Sequence, residues 1–110
     1  MNEENGKYVV GIISAPHERA EYIAKEIVSE KLAACVQILG PISSFYWWNN
    51  GVQKDTEALI LLKTKQNCIE VIKHRLKFIH PYDIPELIFL PVVDGLKDYL
   101  EWIDNTVDKK

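Results

Sequence analysis

Three histidines and two cysteines are the soft donors of this 110-residue chain. His80 opens the stretch His80-Pro81-Tyr82-Asp83-Ile84-Pro85-Glu86, where an imidazole, a phenol and two carboxylates lie close together. Copper favours thiolate and imidazole ligands, so His80 and Cys35 are the candidate metal ligands. Each also has a structural reading. His80 falls at a predicted helix end, where the macrodipole favours its positive form and its ring can pack beside Pro81. Cys35 at the start of a predicted strand can pack as a small hydrophobe. Cys68 begins a predicted helix, a position that favours thiolate, but no base or resolving thiol stands beside it in sequence. His17 and His74 have no ligand spacing to another donor.

The remaining chemistry is sparse. The sequence shows no nucleophile-base-orienter set, no phosphate-cradling glycine loop and no close carboxylate pair for acid-base work, so a binding protein is expected and not an enzyme. The aromatic run Phe45-Tyr46-Trp47-Trp48 could stack bases, but the basic and glycine residues of RNA-recognition motifs are missing. A formal net charge of -3 also disfavours nucleic acid as a partner. Packing at an interface is the better use of those rings. Residues 1–6 form a polar leader without the basic start and apolar stretch of a signal peptide. No apolar run reaches membrane-spanning length, so membrane insertion is not expected and the cytoplasm is the expected compartment. Positions 7–110 have room for one domain.

The elements that must carry these residues follow from periodicity. Tyr8 to Ser14 is a short buried strand, broken at Ala15-Pro16. Ala20, Ile23, Ala24, Ile27, Val28 and Leu32 make one helical stripe over His17 to Leu32. Ala34 to Trp48 is a long strand with a bend or bulge at Gly40-Pro41. Asn49-Asn50-Gly51 is a hairpin turn, because Asn and Gly tolerate positive φ. The return strand Val52 to Thr64 is apolar on both faces: Ala58, Ile60 and Leu62 point one way, Leu59 and Leu61 the other, so both faces need cover. Asn67 and Glu70 predict a capping box for a helix through Ile69, Ile72, Leu76 and Ile79, ending before Pro81. Leu87 to Val93 is a strand with Pro91 at an edge or bulge, and Asp94 is the expected cap of a last helix through Ile103. The order strand-helix-strand-strand-helix-strand plus a terminal helix is an α+β, ferredoxin-like βαββαβ two-layer sandwich.

Four blocks make the pattern more specific. Leu32-Ala33-Ala34-Cys35-Val36-Gln37, then Tyr46-Trp47-Trp48 with Asp55-Thr56-Glu57 and Lys63-Thr64, resemble segments of the CutA family of divalent-cation-tolerance proteins. His80-Pro81-Tyr82-Asp83-Ile84-Pro85-Glu86 resembles that family's His-Pro-Tyr-Glu-x-Pro-Glu block, and Gly95 with Tyr99-Leu100-Glu101-Trp102-Ile103 its C-terminal signature. The blocks run in order from Ala15 to Ile103. Three departures from the family stand out: Gln37 for Asn, a hairpin glycine one position late at Gly51, and the pair Ile13 and Ile79 where copper-binding bacterial members carry Cys and His.

The resemblance implies a PII-like homotrimer in which the chain's main partner is itself. It also implies a cleft between subunits, with Trp48, Glu57, Lys63, Tyr82 and Glu86 as candidate residues. One reading places a small anionic or metal-bound ligand there, held by Lys63, Tyr82 and His80 with Trp48 as a wall. Another makes Lys63 and Glu57 a trimer-stabilising ion pair. For function, the resemblance implies a metal-response protein binding copper or another divalent ion. The alternative is a PII-like regulatory or scaffolding trimer binding a small effector or a protein.

Overall fold

The computed structural model describes residues 7–107; the leader at positions 1–6 lies outside them. β1 (Tyr8–Ala15) leads into α1 (His17–Ser29), followed by the long hairpin of β2 (Cys35–Trp48) and β3 (Gly51–Lys65). A short 3-10 turn (Gln66–Cys68) feeds α2 (Ile69–Ile79), and β4 (Leu87–Pro91) and α3 (Lys97–Thr106) complete the chain. The sheet is antiparallel with order β2-β3-β1-β4, which is the ferredoxin-like arrangement read from the element order.

α1 ends earlier than its apolar stripe suggests. Lys31 adopts φ 56°, its N–H bonds Val28 O at 2.9 Å, and Leu32 N–H bonds Ile27 O at 3.1 Å. This is a Schellman termination with a lysine in the left-handed position usually given to glycine. Leu32 is buried as the residue that packs back after the helix, not as part of it.

The hairpin turn is tighter than the Asn-Asn-Gly triplet implies. Trp48 pairs with Gly51, so only Asn49 and Asn50 lie between the strands, with φ 52° and 61°. Two successive positive φ angles are what a type I′ hairpin turn needs. The expected irregularity at Gly40-Pro41 is present as a register shift between Leu39 and Ile42, and the Gly40–Pro41 peptide is cis.

Two expected caps do not form. The 3-10 turn displaces Asn67 from the start of α2, so no side chain caps that helix, and Glu70 instead reaches Lys73 at 3.2 Å. Asp94 Oδ1 accepts from Gly95 N–H at 2.8 Å, Asp94 lies three residues before α3 begins, and Leu96 takes the N-cap position without a side-chain bond.

Ala58, Ile60 and Leu62 are fully buried with Ile23, Ile27, Ile72 and Leu76 beneath α1 and α2. Each buried aliphatic side chain stabilises the fold by about 1.5–3 kcal/mol. Arg75 ties the two helices together, bonding Glu26 and Glu30 at 2.8 Å each. α3 closes one end of the opposite face, where Lys65 Nζ meets Asp104 Oδ1 at 2.9 Å. The rest of that face keeps Leu59, Leu61, Val10 and Ile12 half-buried, with Leu39, Ile88 and Leu90 about half exposed.

Candidate functional site

The two-residue turn fixes what faces what along the hairpin. Ser44 pairs with Asp55 and Tyr46 with Gln53, which sets the Tyr46 ring diagonally beside Asp55. The Tyr46 hydroxyl donates to an Asp55 carboxylate oxygen. That bond is the leading cause pushing the phenol above its ordinary value, with burial and the Asp55 charge adding. Further along β3, Glu57 is 5% exposed.

The segment after α2 closes the site from the other side. Pro81 disfavours helical geometry at His80, which turns to φ -90° and ψ 136°. His80 is 6% exposed and both ring nitrogens are bonded: Nε2–H donates to Ser14 O at 2.7 Å, and Tyr82 N–H donates to Nδ1 at 3.1 Å. A carbonyl oxygen can only accept, which places the ring hydrogen on Nε2. The imidazole therefore pins the end of α2 to β1 and sets the backbone of Tyr82. The Tyr82 ring packs against the imidazole at 4.8 Å between centroids, tilted by 55°, and its hydroxyl donates to Glu57 Oε2 at 2.8 Å. Burial first, then the bond to Glu57, pushes this phenol well above its ordinary value, so it stays a donor.

Between these walls lies a cavity of about 710 Å³. Phe45, Tyr46, Trp48 and Tyr82 supply aromatic surface, and Asp55, Glu57, Asp83 and Glu86 supply carboxylates. No lysine, arginine or histidine lines it among the described residues, and none of the four carboxylates has an ion-pair partner there.

A family model described as "CutA1 divalent ion tolerance protein" matches residues 8–106. The chain belongs to the CutA1 family. The "Divalent-cation tolerance protein CutA" of Thermus thermophilus is 42% identical over 99 residues, covering 88% of this chain and 96% of that protein. The rice "Protein CutA 1, chloroplastic" is 41% identical over 89% of this chain, which spans only 56% of the rice protein's length. The crystal structure of CutA1 from Oryza sativa superposes with a TM-score of 0.93 at 38% identity, covering 98% of this chain and all of that one. The Thermus thermophilus structure gives 0.89 at 39% identity over 92% of this chain and 99% of that one. Among the described residues no helix is long and apolar enough to cross a membrane.

Membership of the CutA1 family implies a divalent ion, but the soft donors of one chain do not converge on one. With Nε2–H donated and Nδ1 accepting, His80 offers no lone pair to a metal. Cys35 pairs with Lys63 on β3, whereas Ser14, which His80 contacts, pairs with Leu59, four residues along that strand. At about 3.3 Å per residue that is about 13 Å of strand. No group of three or more His, Cys, Asp or Glu among the described residues is placed to hold an ion. Within one protomer, then, the residues present do not fit a copper site. Cys68 is fully buried, with Sγ 3.5 Å from Asn67 Oδ1, and has no exposure for redox chemistry.

Of the cleft candidates, Trp48, Glu57, Tyr82 and Glu86 meet at this cavity, while Lys63 does not. Lys63 bonds Gln37 Oε1 on the neighbouring strand. With Lys63 and His80 both outside the lining, the expected grip on an anion is missing in the protomer. Tyr46, Asp55, Ser44 and Asp83 were not foreseen as cavity residues. A two-residue turn would have revealed the first three, because pairing across it runs Trp48–Gly51, Tyr46–Gln53 and Ser44–Asp55.

Proposed function

We propose that this CutA1-family chain acts as a homotrimeric, PII-like binding protein, not an enzyme, and takes a small effector in the cavity between the hairpin and the His80–Glu86 segment. The observation that carries this reading is the cavity itself. Its volume suits a small molecule, since ligand pockets run to roughly 300–1,000 Å³. The assembly half rests on the second sheet face, where Leu39, Ile88 and Leu90 remain about half exposed beside Leu59 and Leu61. Apolar area of that kind is stabilised by burial against further copies of the chain. Trp48, 47% exposed at the far end of the hairpin, is a second exposed apolar side chain that burial against another copy would stabilise.

A second reading, metal response, is supported by relatives known as divalent-cation tolerance proteins. In it, copper or another divalent ion is bound where copies meet, with Cys35 and His80 supplied by different subunits or freed by rearrangement. Native mass spectrometry of the reduced protein, with and without modest excess copper, separates the two. A trimer that takes up a whole number of ions and loses them in His80→Ala establishes the metal reading. A trimer that stays metal-free leaves the effector reading, and a monomer at all concentrations removes the assembly half of both. Lys63→Ala and Glu57→Gln, made separately, test whether those residues join subunits. Loss of the trimer marks a structural pair; an intact trimer marks Glu57 as a cavity residue.

A further inference from the structure

We propose that Asn50 is a site of spontaneous chemical modification, converting through a ring closed on Gly51 to aspartate and isoaspartate at the tip of the hairpin. The turn uses its residues unevenly. Asn49 and Asn50 carry the positive φ angles, 52° and 61°, that a two-residue type I′ turn requires. Gly51 does not: its φ lies outside the left-handed region, and it sits in β3 opposite Trp48. A β-carbon at Gly51 would meet nothing nearer than Gln53 Nε2 at 3.7 Å. Neither backbone conformation nor packing calls for glycine there. What the missing side chain leaves is an unshielded backbone nitrogen directly after an asparagine.

Asparagine is thermolabile because its side-chain amide lies within reach of the next backbone nitrogen. Gly51 N attacks Asn50 Cγ, and its hydrogen passes to hydroxide or water as the N–Cγ bond forms. The bond from Cγ to the side-chain nitrogen breaks and ammonia leaves, which closes a succinimide ring. Water then opens that ring. Attack at Cγ gives aspartate; attack at the backbone carbonyl gives isoaspartate. Water is the only co-reactant, and nothing is oxidised or reduced.

Asn49 and Asn50 are both exposed in the protomer. A turn of this type is closed by a bond from the N–H of its fourth residue to the carbonyl of its first, here Gly51 and Trp48. The reaction therefore waits on local opening of the tip, which at an exposed hairpin end costs far less than unfolding the chain. Trp48 O also accepts from Gln53 Nε2 at 3.2 Å, so that carbonyl keeps a partner while the turn is open. The other described asparagines lack this neighbour. Asn49 precedes Asn50, Asn67 precedes Cys68 and Asn105 precedes Thr106, each with a β-carbon beside the nitrogen. Asn5-Gly6 repeats the pair but lies outside the described residues. The two products differ in effect. Aspartate before glycine suits the same turn. Isoaspartate routes the backbone through an additional carbon, which breaks a two-residue register and shifts Trp48, a wall of the cavity, relative to Gly51.

Incubation of the purified full chain for several weeks at mildly alkaline pH, followed by peptide mapping with fragment mass spectrometry, tests this. The expected result is an aspartate–isoaspartate mixture at Asn50, with Asn49, Asn67 and Asn105 unchanged. Gly51→Ala, for which the turn has space, should slow the conversion by about tenfold or more by crowding the nitrogen. The isoaspartate fraction, once separated, should show altered tryptophan fluorescence. The incubated sample is whatever assembly the chain forms in solution, so cover of the tip by another copy would register as an intact Asn50. An intact Asn50 in the folded chain overturns the proposal, even where the urea-unfolded chain converts. Equal conversion at Asn49, or a Gly51→Ala chain that ages as fast, overturns it too. Mapping of the unsubstituted chain decides the site whether or not the variant folds, and unchanged fluorescence of the isoaspartate fraction would reject the shift of Trp48.

Discussion

Ile60 and Leu61 are neighbours on β3 with nearly the same chemistry, yet they lie in different environments. Ile60 is fully buried under the helices; Leu61 is half-buried on the face that α3 covers only at one end. Charge divides the same way. Beneath the helices' outer edge Arg75 satisfies Glu26 and Glu30, while around the hairpin cavity four carboxylates have no described cation. One region is satisfied within the chain, and the other leaves apolar side chains and carboxylates open.

Substitutions on either side sharpen that contrast. Ile60→Ala should destabilise the fold by about 2–5 kcal/mol, through lost burial and a cavity, at any protein concentration. A loss below about 1 kcal/mol in denaturant titration would mean that the covered face is loosely packed. His80→Ala comes next. Removing the ring leaves Ser14 O and Tyr82 N–H without partners, at a cost of about 1–3 kcal/mol. An unchanged midpoint would deny the pinning role assigned to this residue.

Tyr82→Phe should cost about 0.5–1.5 kcal/mol near neutral pH for the lost bond to Glu57. Its alkaline signature is more specific. Burial and Glu57 raise the folded phenol's pKa above the ordinary 10.0. The folded chain therefore keeps a proton that the unfolded chain releases. That stabilisation is complete below about pH 10 and is lost as pH rises toward the folded value. Denaturation followed from about pH 8 to about pH 11 should show a decline that Tyr82→Phe makes shallower. Equal slopes in both proteins would remove the buried phenol from the account. The smallest effect belongs to Leu61→Ala, which should change a dilute single chain by no more than about 1 kcal/mol. If copies cover this face, the same variant should lower the midpoint increasingly as protein concentration rises.

The sequence by itself determined the order of the elements, the hairpin position and the family. Those follow from relations between near neighbours: the stripe Ala20-Ile23-Ala24-Ile27, the positive-φ residues Asn49 and Asn50, and Pro81 ending α2. Helical and strand periods are local, so the chain displays them before it folds. The missed caps at Asn67 and Asp94 were also local, but a 3-10 turn and an Asx contact offered the same backbone competing partners.

Only the tertiary structure decided the chemistry of the site. Tyr82 reaches Glu57 across 25 positions of chain, and His80 reaches Ser14 across 66. His80 looked like a donor to a metal because its type and neighbours allow it; its two hydrogen bonds, one to a distant strand, take both nitrogens. Within one chain Lys63 bonds Gln37 across the strand pair and lies six residues from Glu57 on β3, so a Lys63–Glu57 pair requires a second copy. Side-chain type limits what a residue can bind, while the long-range crossings of the fold decide which partner takes its hydrogen bonds.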